Sequence, residues 1–155
     1  MPLTPGSPAP DFTLNNTRNE PVSLSAHRGK PVVVLFFPLA FTGVCTAEMC
    51  TMRDNMAQYN GFDAQVLAVS VDSPFTLAQF KEKEDLNFPL LSDFNKEAAA
   101  AYDVLYEEFF GMRGVAKRSA FVVGPDGTIK YAEVLEDAGQ QPDYAAIQST
   151  LRALA

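Results

Sequence analysis

Cysteine and histidine are scarce in this chain. It has two of the first, Cys45 and Cys50, and one of the second, His27. Two cysteines and one distant histidine fall well short of a closed four-ligand zinc site, so a copper- or zinc-binding module is a poor reading and no metal is expected. Any thiol chemistry is confined to one short stretch. Positive charge is also in short supply, with 12 Lys and Arg against 19 Asp and Glu and a net charge of −7. That balance disfavours a nucleic acid or an anionic membrane surface as partner. No apolar run approaches the ~20 residues of a membrane span, and no basic segment followed by an apolar one opens the chain. The expected address is therefore the cytoplasm. In that reducing compartment, two closely spaced cysteines suggest redox or metal work rather than a structural staple. No internal repeat or low-complexity segment stands out.

What is present is ordinary for a soluble globular protein: 47% apolar and 20% charged residues in 155. The length suits one domain, residues 1–155, with a core of its own. The chain is organised around Pro31 to Cys50, PVVVLFFPLAFTGVCTAEMC. Val32 to Phe37 is a β-branched and aromatic run too short for a helix, which predicts a strand buried on both faces. Pro38 cannot continue a central strand and ends it. After a loop with Thr42 and Gly43, the apolar positions Cys45, Met49, Met52, Met56 and Tyr59 follow the spacing of one helical face. Cys45 thus lies where a strand hands over to a helix, and the open N–H groups and dipole there favour a thiolate over a thiol. A small packed core residue is the competing reading of any cysteine in an apolar setting.

The rest of the chain supplies a frame. Met1 to Pro10 is Pro-rich and reads as an extended surface segment. Phe12–Leu14 and Val22–Leu24 flank a polar turn and predict a hairpin. His27 reads as a plain surface residue in the turn before the central strand. Gly61 and Asp63 close the first helix, Gln65 to Val71 is a second buried strand, and Ser73-Pro74 caps a helix over Phe75–Glu84. Pro89–Leu91 is a short strand, Lys96–Tyr102 a helix, and Val104–Gly114 a loop with aromatic anchors. Ala120–Val123 and Thr128–Ala132 are strands joined by the turn Gly124–Gly127. Pro142–Leu154 is a closing helix with Tyr144, Ile147, Leu151 and Leu154 inward. This order predicts an α/β fold, a mixed central sheet covered by helices, with an N-terminal hairpin.

The segment Pro38 to Cys45 resembles the Pro-x-x-x-Thr-x-x-Cys signature of the peroxiredoxins, thiol peroxidases on a thioredoxin-like fold. The resemblance runs from Ala9-Pro10-Asp11-Phe12 through Phe88-Pro89-Leu90-Leu91-Ser92-Asp93 to Arg118-Ser119-Ala120-Phe121 and Pro125-Asp126-Gly127. The loop and the FPLLSDF segment are similar to the AhpE-type one-cysteine group. Cys50, five residues after Cys45, is similar instead to the bacterioferritin-comigratory-protein (PrxQ) group.

The resemblance implies a peroxidatic Cys45 that attacks hydrogen peroxide or an organic hydroperoxide and becomes a sulfenic acid. It implies Pro38 shaping the loop and Thr42 contributing a hydroxyl near the sulfur, where the residues alone read equally as a strand terminator and a helix cap. It selects Arg118 as the cation, through the Arg-x-x-Phe motif, over Arg113 and Lys117, which compete on spacing; a solvated strand-end charge is the plainer reading. It ties Glu48, one turn on from Cys45, to the arginine, against a solvated helix-surface carboxylate. It implies Cys50 as resolving residue, with a thioredoxin-like protein or a low-molecular-weight thiol as reductant and no organic cofactor. Five helical residues separate Cα atoms by about 8.6 Å, beyond the ~7 Å that a disulfide tolerates. Such a bond therefore requires the first turns of the helix to unwind, with the folded form belonging to the reduced state. If Cys50 is only packed, an external thiol resolves Cys45.

A thioredoxin-type oxidoreductase needs Cys-x-x-Cys, and position 48 is Glu. A non-catalytic interaction protein on the same fold is the remaining rival. Peroxiredoxins often dimerise, and Tyr106, Phe109 and Phe110 offer aromatic surface for a homodimer if exposed.

Overall fold

The computed structural model describes residues 3–154. In chain order these form β1 (Thr13–Asn16), β2 (Pro21–Ser23), a 3₁₀ turn (Leu24–His27), β3 (Val32–Phe36), α1 (Gly43–Asp54), α2 (Met56–Gly61) and β4 (Gln65–Ser70). There follow α3 (Pro74–Lys83), β5 (Leu90–Ser92), α4 (Glu97–Ala101), β6 (Ser119–Val123), β7 (Ile129–Val134) and α5 (Tyr144–Leu154). The described strands join in one mixed sheet of order β2-β1-β5-β4-β3-β6-β7.

β3 lies inside the sheet, parallel to β4 and antiparallel to β6. Its alternation explains the unbroken apolar run. Val33, Leu35 and Phe37 pack on one face against α1, α2, α3 and α5, through Met49, Tyr59, Leu77, Phe80 and Ile147. Val32, Val34 and Phe36 pack on the other against the N-terminal hairpin, α4 and Tyr102. With both faces covered, a polar residue at any of these positions would have neither water nor a partner. No described helix is long and apolar enough to cross a membrane.

The structure refines several boundaries. The helical face Cys45–Met49–Met52–Met56–Tyr59 is buried throughout, but it spans two helices. Asn55 turns its amide onto the Thr51 carbonyl at 2.8 Å, and its own N–H bonds back to Met52. A side chain that competes for backbone partners in this way interrupts a helix. Ser73 caps α3 with its hydroxyl accepting from the Thr76 N–H at 3.1 Å. Ile147 and Leu151 of α5 are buried, while Tyr144 and Leu154 are partly buried against the same core.

The N-terminal segment is more than a surface strap. The Gly6 and Ala9 N–H groups donate to Ile129 and Gly127 carbonyls, and Ile129 donates back to Ser7. Met1 and Pro2 lie outside the described residues, as does Ala155. His27 is half-buried, with Nδ1 3.2 Å from the Ser23 carbonyl.

Candidate active site

Because β6 runs antiparallel beside β3 with Ser119 opposite Phe36, the residue before β6 lies next to the loop that follows β3. That register brings Arg118 to Cys45 across 73 residues of chain and to Glu48 across 70. The loop itself is pinned by Asp72, whose Oδ2 accepts from the Ala40 N–H at 2.8 Å and from the Ser70 hydroxyl at 2.7 Å. Phe41 takes a left-handed conformation, φ 69°, which a bulky side chain adopts only under constraint. Its ring packs on Phe80 at 5.2 Å, with the Lys83 ammonium 5.7 Å from its centroid.

α1 begins immediately after this loop with Thr42 as its N-cap residue. The first intrahelical bond runs from the Thr46 N–H to the Thr42 carbonyl at 2.9 Å. The amides of Gly43, Val44 and Cys45 therefore precede the helical ladder and leave partial positive charge around the sulfur. Thr42 does not cap with its side chain. Its hydroxyl donates to the Leu39 carbonyl at 2.8 Å. With that proton committed, its lone pairs are what it can offer to a ligand.

Arg118 is only 1% exposed, and Glu48 is fully buried. The guanidinium Nη1 donates to Glu48 Oε1 at 2.6 Å. Nη2 donates to Cys45 Sγ at 3.4 Å and to the Ala138 carbonyl at 3.0 Å. One rigid fork thus spans helix, sulfur and the loop after β7, a reach that a point charge on a flexible stem does not have. Pro38, Thr42, Gly43, Val44, Cys45, Phe109, Arg118, Ala138 and Gly139 line a pocket of about 220 Å³ above the sulfur. Cys45 is itself 1% exposed, so only a small reactant approaching through this pocket meets it.

Each singled-out residue thus has a definite place. Pro38, Thr42, Cys45 and Arg118 share the pocket, and Glu48 stands behind Arg118. Cys50 is apart from it, half-buried on α1 with a free thiol, as is that of Cys45. Arg113 and Lys117, which competed with Arg118 on spacing, are not among the pocket's lining residues, and Lys117 pairs with Glu136 at 2.7 Å. Among the described residues no three His, Cys, Asp or Glu side chains converge as a metal site would need. Asp72, Ala138 and Gly139 carried no sequence signal, because the Asp72 carboxylate acts on an amide 32 residues away and the other two act through the backbone or their position in a loop. Phe109 is a wall of the pocket and stacks on Tyr106 with centroids 5.0 Å apart, while Phe110 beside it is 90% exposed.

Burial pushes the Glu48 carboxyl from its usual 4.5 up to about 7, against the pull of Arg118. Its Oε2 has no partner among the described residues, so nothing on that side offsets the cost of burying the carboxylate's charge. Between pH 4.5 and 7 the folded protein keeps a proton that the unfolded chain releases. Raising the pH through that window therefore favours unfolding by up to about 3 kcal/mol at this one group. The Glu48→Gln variant has no such proton. Urea unfolding of both proteins at pH 4.5 and 7.5 should show the stability difference moving in the variant's favour by that order. Parallel pH curves would remove the assignment.

Comparison with known proteins agrees with this arrangement. Residues 5–132 match the AhpC/TSA family. The chain is 39% identical over 155 residues to alkyl hydroperoxide reductase E of Mycobacterium tuberculosis, covering 98% of both chains. It is 38% identical over 133 residues to peroxiredoxin Bcp of Escherichia coli, covering 84% of this chain and 85% of that one. Its fold superposes on the crystal structure of peroxidoxin BcpB from Mycobacterium tuberculosis with a TM-score of 0.88, at 29% identity and with 99% of each chain covered. With 128 consecutive residues matched and the thiol–arginine pocket in place, the chain belongs to the AhpC/TSA family, the peroxiredoxins.

Proposed function

We propose that the protein is a thiol-dependent peroxidase in which Cys45 reduces hydrogen peroxide and organic hydroperoxides. The observation that carries this reading is the Arg118 guanidinium, 3.4 Å from the sulfur within a small pocket. The Cys45 thiolate attacks the terminal oxygen of ROOH. The S–O bond forms as the O–O bond breaks, and RO⁻ leaves and is protonated to ROH. Cys45 is left as a sulfenic acid. Arg118 and the free amides at the start of α1 place positive charge where the leaving oxygen becomes negative. The Thr42 hydroxyl, its proton held by Leu39, accepts a hydrogen bond from the peroxide O–H. Pro38 and Phe109 keep water from the sulfur. Glu48 fixes the guanidinium in place.

The second half of the reading assigns Cys50 as resolving residue. Its thiol condenses with the sulfenic acid, giving the Cys45–Cys50 disulfide and water. A thioredoxin-like protein or a low-molecular-weight thiol then returns two electrons and two protons. Both cysteines lie in one unbroken helix, so the start of α1 must unwind for the bond to form. The strained backbone of Phe41 favours that release, since unwinding frees a conformation costing about 1–2 kcal/mol. A cytoplasmic address and a homodimer involving the exposed Phe110 complete the reading.

Mass spectrometry after one equivalent of peroxide tests this. The expected product has lost two hydrogens, and its Gly43–Arg53 segment should exchange amide hydrogens faster than in the reduced protein. A stable gain of one oxygen would instead assign resolution to an outside thiol.

A further inference from the structure

The peroxidatic site uses the first turn of α1. What surrounds Cys50, a turn and a half further along, has no part in it. The Cys50 thiol donates to Glu84 Oε2 at 3.5 Å, from a residue 34 positions away at the end of α3. Two further contacts cross the same seam. Arg53 Nη1 donates to the Glu84 carbonyl at 2.6 Å, and Asn87 Nδ2 donates to the Arg53 carbonyl at 3.3 Å. The second half of α1 is thereby clasped to the end of α3 at Cys50 and Arg53.

Among the described residues the first turn has no such clasp onto α3. Thr42 and Gly43 are exposed, and a Cβ built on Gly43 would meet nothing within 4 Å. The start of the helix is instead held through Arg118, on the Cys45 sulfur at 3.4 Å and on Glu48 at 2.6 Å, and the first of these contacts weakens once that sulfur is a neutral sulfenic acid. If the helix opens, the Cys45 end travels and Cys50 stays.

We propose that Glu84 is a further functional residue of the resolving step: it keeps Cys50 docked on α3 while the first turns of α1 unwind, and it accepts the Cys50 proton as the disulfide forms. This rests on the reading above in which Cys50 attacks the sulfenic acid. Glu84 takes the proton from Cys50 Sγ, and the sulfur's electron pair forms the S–S bond to Cys45. The S–O bond of the sulfenic acid breaks, and the departing hydroxide collects the proton from Glu84 and leaves as water. Cys50 is oxidised and the sulfenic sulfur is reduced, so no outside reductant or oxidant enters the step.

The need for such a base follows from the setting of Cys50. The charged groups facing it are Glu84 from the end of α3, and Arg53 and Asp54 from its own helix. Burial and then the Glu84 hydrogen bond push this thiol up, and Arg53 only partly offsets them. The attacking group therefore rests as a thiol and must lose its proton at the moment of attack.

Glu84→Gln keeps an oxygen for the thiol to donate to but cannot take up a proton. The test is quench-flow mass spectrometry after one equivalent of hydrogen peroxide, comparing the parent, Glu84→Gln and Glu84→Asp between pH 6 and 8. Oxidation of Cys45 serves as the internal control for folding. At pH 7 the disulfide should form about 10²-fold more slowly in Glu84→Gln. Its rate should rise about tenfold per pH unit, because hydroxide must replace a base that travels with the protein. Glu84→Asp should retain the parent's shallow pH profile.

In a Cys45→Ser background, alkylation of Cys50 by iodoacetamide should by contrast be faster with Gln at position 84, since the group that suppresses the thiolate is gone. Opposite signs in the two assays identify a base, whereas a merely repelling carboxylate predicts acceleration in both. Disulfide formation at the parent rate in Glu84→Gln would overturn the role of Glu84 and leave Cys50 as resolver. A parent protein that gains an oxygen and forms no disulfide would overturn both.

Discussion

Peroxide turnover is expected to fall to the protein-free level in Cys45→Ser. The substitution exchanges one atom for a slightly smaller one, so the pocket, Arg118 and Glu48 should hold their positions. What is lost is the nucleophile: a serine hydroxyl has no thiolate form and no neighbouring base in this pocket to activate it. Cys50 cannot stand in. Its thiol is held protonated against Glu84, on the far side of a helical turn from the guanidinium. Thiol-dependent consumption of hydrogen peroxide, followed in steady state, checks the point. Turnover at the parent rate would mean that the chemistry lies elsewhere in the molecule.

Arg118→Met should slow the oxidation of Cys45 by about 10²–10³-fold, the usual cost of removing one preorganised donor from a site of developing charge. The variant is expected to fold. Removing one partner of a buried ion pair ordinarily strands the other at a cost of several kcal/mol. Here the stranded group is Glu48, which burial already raises to about 7, so without the guanidinium it simply keeps its proton. Arg118→Lys should recover only part of the rate. An ammonium restores the charge but cannot contact Glu48, the sulfur and the Ala138 carbonyl together as the guanidinium does. Single-turnover loss of the free thiol at Cys45, measured against peroxide concentration, gives the rate constants. A methionine variant within threefold of the parent would remove Arg118 from the mechanism.

Much of the frame was legible in the sequence, because its signals are local. Val32 to Phe37 announces a strand covered on both faces, Ser73-Pro74 announces a capped helix, and Gly124–Gly127 announces a hairpin turn. Gly127 takes φ +85° there, as such a turn requires. The grouping of Pro38, Thr42 and Cys45 is also short-range, and the Arg-x-x-Phe pattern selected Arg118, which sequence spacing alone left level with Arg113 and Lys117.

What escaped depends on contacts between distant parts of the chain. Nothing near Asp72 signals that its carboxylate clamps the Ala40 amide. Nothing near Glu84 signals the Cys50 thiol, and nothing in Ala138-Gly139 signals a wall of the pocket. The break at Asn55 was missed because the buried stripe continues through it in phase. The pairing of the N-terminal segment with residues 127–129 was missed because prolines obscure strand periodicity.

The central claim is that the Cys45 sulfur meets the peroxide, and it is reached most directly by finding where the oxygen goes. In the Cys50→Ser variant, one equivalent of hydrogen peroxide should add a single oxygen, and peptide mapping after trapping with a sulfenate-specific reagent should locate it on Cys45 alone. Peroxide consumed with the oxygen on a methionine, or with Cys45 still a free thiol, would contradict the account.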